Sequence, residues 1–306
     1  MEAKQFQLAE ELRKSIRGIV KTDEPMAKHT TFGIGGPADL YIEPADTDDL
    51  AQIIVWLNER QIPWFVLGDG ANVLVADKGI RGAVIHMGKP FRKVKIDGEK
   101  VIVGSAAKLD KVVSATVDAG LAGLESTAGI PGTIGGAIVM NAGTYRGQIG
   151  DVTEKVCVVT TDGVQLEMTP ENLQFRYRWS VFQEDKNIII VEAYLGLKPG
   201  NKEELVRTME YIRHRRNMNL PTVGRSAGCM FKNPDGYSAG QLIDEAGLKG
   251  TSIGDAVVAD KHANFILNIG KASATEVKEL AERVRGTIKG KFDIDLEYEV
   301  RIIGDW

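Results

Sequence analysis

Two glycine-rich stretches have the residue types and spacing best suited to holding an anion. The first, Leu124–Gly143, reads LESTAGIPGTIGGAIVMNAG and contains five glycines but neither lysine nor arginine. Glycine adopts left-handed backbone conformations and allows another molecule to approach the main chain. Backbone N–H groups would therefore have to bind the anion. Considered alone, the stretch is equally compatible with tight turns between strands.

The second stretch, Trp64–Val75, reads WFVLGDGANVLV and interrupts an apolar run with a glycine-rich turn. The apolar residues before Gly68 predict a strand, and Val73–Val75 resumes the apolar pattern after the turn. Two such turns, each placed between apolar runs, are suited to holding a pyrophosphate from two sides.

The elements that lead into the second stretch form a predicted β-α-β unit. Apolar residues at helical spacing predict a helix over Asp46–Arg60, directly before the Trp64 strand. Residues 30–38 read TTFGIGGPA, which fits a degenerate dinucleotide-binding fingerprint. We reject that interpretation because the strand-like DLYIEP follows at once, whereas the fingerprint requires a strand before it and a helix after it.

The rest of the chain alternates between helical and strand patterns. Leu8, Leu12, Ile16 and Ile19 have helical spacing in the polar N-terminal segment, which indicates an amphipathic helix rather than a signal peptide. The other predicted elements are helices over Leu109–Ala119, Asn201–Arg216, Ser238–Ala246 and Thr275–Lys289, strands over Phe91–Ile96, Val152–Thr160, Ile188–Leu197 and Leu296–Ile303, and hairpin turns at Asp97-Gly98 and Asp162-Gly163.

Composition favours a soluble globular protein of two or three domains in the cytoplasm. The 306 residues carry a net charge of −4, which argues against a nucleic-acid or anionic-membrane partner. The two cysteines make no disulfide framework, and a reducing compartment fits them. No apolar run approaches the length of a membrane span, and the four histidines lack metal-ligand spacing, so we expect no metal. A monomer is expected.

The glycine motifs GDGAN, AGIPGTIGGA and MNAG together resemble the FAD-binding domain of the vanillyl-alcohol-oxidase (PCMH) type. Three later motifs, YRxSxF at Tyr177–Phe182, GCxFKNP at Gly228–Pro234 and LExEVR at Leu296–Arg301, are similar to those of the UDP-N-acetylenolpyruvoylglucosamine reductase family. The similarity runs from about Thr30 to Gly304, and the chain resembles the shorter branch of the family, without a tyrosine-bearing insertion. Three motifs in order behind two flavin-type loops make a specific match.

The resemblance implies an α+β architecture with four parts. These are an N-terminal helix at residues 1–24, two α+β FAD-binding subdomains at 25–90 and 91–200, and a C-terminal α+β substrate-binding domain at 201–306. It also implies FAD and NADPH as cofactors and UDP-N-acetylglucosamine enolpyruvate as the substrate. The implied product is UDP-N-acetylmuramate, used in peptidoglycan synthesis and hence in cell wall biogenesis, cell shape and cell division. The implied FAD-binding residues are Gly68, Asp69, Gly70, Ala71, Asn72, Gly129, Ile130, Pro131, Gly132, Thr133, Gly135, Gly136 and Ala137.

The resemblance also assigns catalytic roles. Arg178 would stabilise the enolate-like carboxylate with a planar donor fork that stays protonated, and Glu299 would assist. The family's usual proton donor is a serine, but this chain has Cys229 at that position. A thiol is more acidic than an alcohol and can also be oxidised. Cys229 is the expected donor, and Ser226 is the alternative.

By motif position, Asn233 is expected to bind the uridine diphosphate part of the substrate. Arg225, Lys232 and Asn264 are further candidates for the same pocket, and Tyr145 is a candidate to reach the substrate from the flavin lobe.

Three other functions stand as alternatives. Gly224–Gly228 reads GRSAG and fits the serine-hydrolase elbow, but it lacks the strand before and the helix after that the elbow requires. Another FAD-dependent oxidase of the same fold would have no use for the three catalytic residues and would react readily with oxygen. A non-enzymatic UDP-sugar-binding protein would bind no flavin.

Overall fold

The computed structural model describes residues 2–185 and 187–306, which fall into two units built from non-contiguous stretches of chain. Unit 1 contains the chain up to Asp23, Asp39–Asp69 and Gly82–Arg215. Unit 2 contains Glu24–Ala38, Gly70–Arg81 and Arg216–Trp306. Residues far apart in the sequence therefore share one core. The four-part domain division expected from the sequence stays a prediction.

Eight α-helices are present in the described residues: α1 Glu2–Ser15, α2 Thr47–Glu59, α3 Leu109–Asp118, α4 Ile134–Met140, α5 Pro170–Leu173, α6 Lys202–Asn219, α7 Ala239–Glu245 and α8 Ala274–Phe292. Their ends follow capping chemistry. The Asp46 side chain accepts the N–H of Asp49 at the start of α2, and Ser273 and Glu276 form a capping box at the start of α8. No helix in the described ranges is long and apolar enough to cross a bilayer.

The strands are β1 Ile19–Pro25, β2 Pro37–Glu43, β3 Trp64–Leu67, β4 Val73–Val75, β5 Ile80–His86, β6 Val94–Asp97, β7 Lys100–Gly104, β8 Leu121–Ala122, β9 Gly143–Thr144, β10 Gly147–Gln148, β11 Thr153–Thr160, β12 Gln165–Met168, β13 Ile188–Gly196, β14 Lys198–Pro199, β15 Ser252–Ile253, β16 Ala256–Val258, β17 Ile266–Asn268 and β18 Arg301–Ile303. Unit 1 contains a five-stranded antiparallel sheet in the order β12-β11-β13-β7-β6. Both predicted hairpins are confirmed: Asp97 pairs with Lys100 and Val159 with Gln165.

Three predicted elements are clearly shorter than expected. The strand expected over Phe91–Ile96 is β6, which begins at Val94 because Phe91 belongs to a 3-10 helix. The N-terminal helix ends at Ser15, and Ile19–Pro25 forms strand β1 instead. Gly18 lies between the two elements and packs so closely against the Glu43 carbonyl that a side chain there would collide with it. The C-terminal strand begins only at Arg301, because residues 297–299 bond to residues 230–232 outside regular strand pairing.

The GDGAN turn joins two different sheets rather than two parts of one. Strand β3 before the turn pairs in parallel with β5, in a four-stranded sheet ordered β1-β2-β5-β3. Strand β4 after the turn pairs in parallel with β18, with Val73 beside Arg301. The strand before the turn therefore belongs to the four-stranded sheet, and the strand after it pairs with the C-terminal strand β18.

Each unit has its own apolar core. In unit 1, Val112, Ile138 and Leu195 belong to a core in which α3, α4 and α6 pack on the five-stranded sheet. In unit 2, Val277 and Leu280 of α8 lie in a second core with α7. Full burial of such a side chain contributes about 1.5–3 kcal/mol. Helix α4 forms part of the glycine-rich block, and burial of its Ile134 and Ile138 side chains in this core holds it in place.

Candidate active site

The glycine-rich block of unit 1 is held in place by helices α3 and α6. The N–H of Gly129 donates to Asp110 Oδ1 at 2.7 Å, and Arg213 Nη2 donates to the same oxygen at 2.9 Å. Arg213 Nη2 also donates to Ser114 Oγ at 2.7 Å. Asp110 was not predicted from the sequence, because no motif identifies an acid in the first turn of a helix as the anchor of a loop.

Backbone N–H groups at the start of α4 are already bonded within the protein. Ile134 N donates to Ala107 O at 2.9 Å, Gly135 N to Ser105 O at 2.8 Å and Ala137 N to Thr133 O at 2.8 Å. These three N–H groups therefore have partners within the protein, and anion binding by the backbone of the block stays a prediction. No local pattern predicts the first two bonds, since Ala107 and Ser105 lie almost 30 positions before their donors in the chain.

Gly135 and Gly136, which are adjacent in the first turn of α4, differ in the space that a side chain would have. A Cβ on Gly135 would lie 3.0 Å from Ser105 Cβ, so internal packing explains that glycine. A Cβ on Gly136 would meet only Thr133 Oγ1, at 3.5 Å, and Gly136 is exposed. Glycine in a helix costs about 0.5–1 kcal/mol relative to alanine, and packing does not account for it at Gly136. Open space at Gly136 fits a ligand that approaches the backbone.

The GDGAN turn meets the same block within unit 1. A Cβ on Gly68 would lie 2.7 Å from Thr133 Oγ1. The Asp69 carboxylate pairs with Lys108 Nζ at 2.5 Å, and Lys108 forms a backbone bridge with Thr133. Close by, the buried Ser105 Oγ has no hydrogen-bond partner among the described residues. The adjoining glycine stretches, the open face of Gly136 and the unsatisfied hydroxyl fit FAD, the cofactor that the sequence implies.

The second half of the turn belongs to unit 2 and holds the C-terminal segment there. Gly70 has a φ of +62° and lies against the His29 carbonyl, so a side chain would be strained and would collide. Asn72 Nδ2 donates to Glu299 O at 3.0 Å, and the N–H of Arg301 donates to Asn72 O at 3.0 Å. Asn72 therefore binds the backbone that carries Glu299.

Arg178 lies in a tight turn of unit 1. Arg176 and Trp179 exchange backbone hydrogen bonds of 3.0 and 3.1 Å, which leaves Tyr177 and Arg178 as the two central residues. Arg178 has a φ of +54°, a conformation that side-chain-bearing residues adopt at a cost. Its guanidinium carbon is 5.3 Å from the centre of the Tyr177 ring. A strained turn that displays an arginine is a pattern found at functional sites.

Cys229 and Glu299 lie on adjoining segments of unit 2. Cys229 forms a β-bridge with Phe265, and the next carbonyl, that of Met230, accepts the N–H of Glu299 at 2.9 Å. Both Cys229 and Glu299 are partly exposed. The alternative donor, Ser226, lies nearby in sequence, and its carbonyl accepts the Thr31 hydroxyl at 2.7 Å.

The expected substrate contacts differ in their surroundings. Asn264 is buried, and its amide both accepts from Phe231 N at 3.0 Å and donates to Phe231 O at 2.8 Å. Asn264 thus holds the segment that contains Cys229 and Phe231 in place, a role that no sequence motif predicted. Asn233 is exposed, and its Oδ1 accepts the N–H of Ala239 at the start of α7.

The remaining three expected substrate contacts are at least partly accessible. Lys232 Nζ lies 3.2 Å from Glu297 Oε2. Arg225 is exposed. Tyr145 is 88% exposed in unit 1, and its hydroxyl accepts from Arg146 Nε at 2.9 Å. Their roles toward substrate stay predictions.

The hydrolase interpretation of Gly224–Gly228 does not fit the local fold. The motif lies in an irregular segment between α6, which ends at Asn219, and α7, which begins at Ala239. Arg225, within the motif, instead exchanges backbone hydrogen bonds with Asn268. The strand–turn–helix arrangement of a nucleophile elbow is thus absent at this motif, all of which the structure describes.

Comparison with known proteins covers both parts of the chain. Residues 38–169 match the family profile described as FAD binding domain. Residues 220–303 match the profile described as UDP-N-acetylenolpyruvoylglucosamine reductase, C-terminal domain. The 4-ethylphenol oxidase of Gulosibacter chungangensis, 17% identical with a TM-score of 0.51, covers 93% of this chain and 63% of its own, and shares the fold alone. The predicted α+β fold with an FAD-binding domain of the vanillyl-alcohol-oxidase type is confirmed.

Full-length relatives are more similar. UDP-N-acetylenolpyruvoylglucosamine reductase of Caldanaerobacter subterraneus subsp. tengcongensis is 42% identical over 97% of this chain and 98% of its own. That of Bacillus subtilis is 39% identical over 96% and 97%. The crystal structure of the Thermus caldophilus reductase, 38% identical, covers 94% of this chain and 99% of its own with a TM-score of 0.81. With such similarity along almost its whole length, the chain belongs to the UDP-N-acetylenolpyruvoylglucosamine reductase family.

Proposed function

We propose that this protein catalyses the FAD-dependent, NADPH-driven reduction of UDP-N-acetylglucosamine enolpyruvate to UDP-N-acetylmuramate. The reaction would serve peptidoglycan precursor synthesis in the cytoplasm, and through it cell wall biogenesis, cell shape and cell division. The observation that best supports it is the 2.9 Å hydrogen bond from Glu299 N to the carbonyl of Met230, next to Cys229. It holds two of the three expected catalytic residues on adjoining segments.

The cofactor would be held by the GDGAN turn and by the glycine-rich block. When bound, FAD supplies hydride chemistry between NADPH and the substrate. Gly136 allows close approach to the backbone, and Asp110 keeps Gly129 in place by accepting its N–H. Lys108 connects the two glycine stretches, because its ammonium pairs with Asp69 and its backbone bridges to Thr133.

Arg178 is the group that would stabilise negative charge on the substrate carboxylate. Its guanidinium stays protonated and offers two parallel donors, which match a carboxylate. A lysine would offer only a point charge. Glu299 would assist this stabilisation from the C-terminal segment, where Asn72 binds its carbonyl oxygen.

Cys229 would complete the reaction by proton transfer. Its S–H bond breaks as a C–H bond forms at the substrate carbon, and the thiolate then takes a proton from solvent. Asn264 supports this role indirectly, because its amide fixes Phe231, two residues after Cys229. Asn233, Arg225, Lys232 and Tyr145 are proposed to bind the sugar nucleotide.

The visible spectrum of the purified protein tests the proposal. Flavin bands should bleach on addition of NADPH and return without oxygen when the enolpyruvyl sugar nucleotide is added. A colourless protein that cannot be reconstituted with FAD would remove the proposal and leave a sugar-nucleotide binder. A yellow protein that is reoxidised only by oxygen would favour a flavin oxidase. The protein is proposed to be a monomer, which light scattering of the same sample tests.

Arg178→Lys isolates the proposed charge stabilisation. The variant should keep FAD and its reduction by NADPH but turn over sugar nucleotide much more slowly, because the donor fork is lost. Turnover at the wild-type rate would show that Arg178 does not have the proposed role.

A further inference from the structure

Helix α4 connects the glycine-rich block to the turn that carries Arg178, entirely within unit 1. Its last carbonyls have no partner within the helix, as at any helix end. Val139 O is one of them, and it accepts both Ser180 Oγ at 2.8 Å and Gln183 Nε2 at 3.0 Å. Both side chains come from the segment directly after Arg178. The end of α4 is therefore completed by the Arg178 segment rather than by solvent.

Asn141, the C-cap of α4, makes the second connection. Its side chain is fully buried, with Nδ2 donating to Arg176 O at 2.9 Å and Oδ1 accepting from Gly150 N at 3.0 Å. Its backbone is left-handed, with a φ of +44°, which asparagine tolerates better than most residues. Both polar ends of one amide thus bind neighbouring segments.

These bonds hold the Arg178 turn from two sides. Arg176, bound by Asn141, is the residue whose hydrogen bonds with Trp179 close the turn. Gln183 Nε2 also donates to the carbonyl of Arg178 itself, at 2.8 Å. The position of the guanidinium depends on this backbone, and Arg178 has no regular helix or strand to fix it.

We propose that Asn141 is a positioning residue for Arg178. The proposal rests on the proposed function, in which Arg178 stabilises charge on the substrate. Displacement of a catalytic group by about 1 Å can cost roughly 100-fold in rate. Loss of the Asn141 amide should therefore slow sugar-nucleotide reduction while flavin reduction by NADPH, which does not use Arg178, continues at the wild-type rate.

Two substitutions distinguish the role of the Asn141 side-chain amide from the role of its left-handed backbone. Asn141→Gly removes the amide and keeps a residue that accepts the left-handed conformation. Asn141→Asp keeps the acceptor for Gly150 N–H but loses the donor to Arg176 O. We expect either to slow the sugar-nucleotide half-reaction about 10- to 100-fold in stopped-flow measurements on the holoenzyme. Gln183→Ala, which removes the support at the Arg178 carbonyl, should give the same selective loss if an Asn141 variant does not fold.

A matched control is available in α2. Asn58 uses its amide in the same way, donating to Thr161 O at 2.7 Å and accepting from Trp64 Nε1 at 3.0 Å. Asn58→Ala should destabilise the protein to a similar degree and leave both half-reactions unchanged. If it slows the sugar-nucleotide step as much as the Asn141 variants do, the effect is general destabilisation and the inference is overturned.

The decisive measurement adds Asn141→Gly to an Arg178→Ala enzyme. If Asn141 acts through Arg178, the second substitution should cost no further rate, since coupled residues are not additive. An equal loss in both backgrounds would overturn the positioning role and leave the proposed function intact. If Arg178→Ala alone has no effect, the proposed role of Arg178 fails as well, so the two failures are distinguishable.

Discussion

Substitution of Gly136 by alanine should separate stability from cofactor binding. Gly136 is the third residue of α4, and a Cβ there would meet only Thr133 Oγ1, at 3.5 Å. The new methyl group fits the protein without a clash, and alanine is the better helix former. The free energy of unfolding without FAD should therefore rise by about 0.5–1 kcal/mol.

FAD affinity should change in the opposite direction. The methyl group would occupy the space in which we propose that the cofactor lies against the backbone. Overpacking by one methyl typically costs about 1–3 kcal/mol. At about 1.4 kcal/mol per tenfold, the dissociation constant should rise roughly 5- to 150-fold.

Denaturant unfolding of the FAD-stripped protein and fluorescence titration with FAD measure the two quantities. Gly286→Ala in α8 is a matched control, because Gly286 is also helical and has no atom within 4 Å of the added Cβ. It should stabilise the protein and leave FAD affinity unchanged. Gly135→Ala should instead destabilise the FAD-free protein, because its Cβ would crowd Ser105 at 3.0 Å. Unchanged FAD affinity in Gly136→Ala would refute the argument that ligand space explains this glycine.

Three further predictions concern unit 2. Cys229→Ser should retain sugar-nucleotide reduction and Cys229→Ala should slow it selectively; an equal loss of both half-reactions in single-turnover assays would indicate misfolding instead. Asn72→Ala removes the 3.0 Å bond to Glu299 O and should slow the sugar-nucleotide half-reaction about tenfold; an unchanged single-turnover rate would show that the bond does not position Glu299. Burial lowers the pKa of His262, so the unfolded state binds its proton more readily, and the unfolding free energy should fall as pH drops below about 6.5. His262→Gln should flatten that fall in urea unfolding between pH 7.5 and 5.5, and an unchanged slope would exclude His262 as its source.

Local patterns predicted the elements whose signals lie within a few residues. The helix expected over Asp46–Arg60 is α2, and that expected over Thr275–Lys289 is α8, which extends from Ala274 to Phe292. Apolar spacing and capping residues determine such helices. The strand expected over Leu296–Ile303 is mostly irregular, because residues 230–232 supply its hydrogen-bond partners. No local pattern encodes a partner some 70 residues away.

The candidate site was predictable to the same degree. Glycine spacing identified both stretches of the proposed FAD site. In the glycine-rich block, however, the N–H groups of Ile134 and Gly135 donate to the carbonyls of Ala107 and Ser105, which lie outside the motif. Asn264 is buried and its amide binds Phe231, a contact that no motif indicates, and its expected role toward substrate stays a prediction. Asp110 belongs to no motif and was missed. Motifs identify residue types, whereas long-range contacts decide which groups remain available.

One arrangement recurs in the two units: each glycine motif contains an asparagine whose side-chain amide binds a neighbouring segment. In unit 2, Asn72 closes GDGAN and donates to Glu299 O; in unit 1, Asn141 of MNAG donates to Arg176 O, beside the Arg178 turn. An asparagine amide offers a donor and an acceptor on a short side chain, so it can bind a neighbouring segment without a helix or sheet. Each stretch proposed to hold FAD thus also binds the backbone at or beside a proposed catalytic residue, Glu299 in one case and the Arg178 turn in the other. A substitution that shifts either stretch should therefore slow the sugar-nucleotide step even when FAD remains bound.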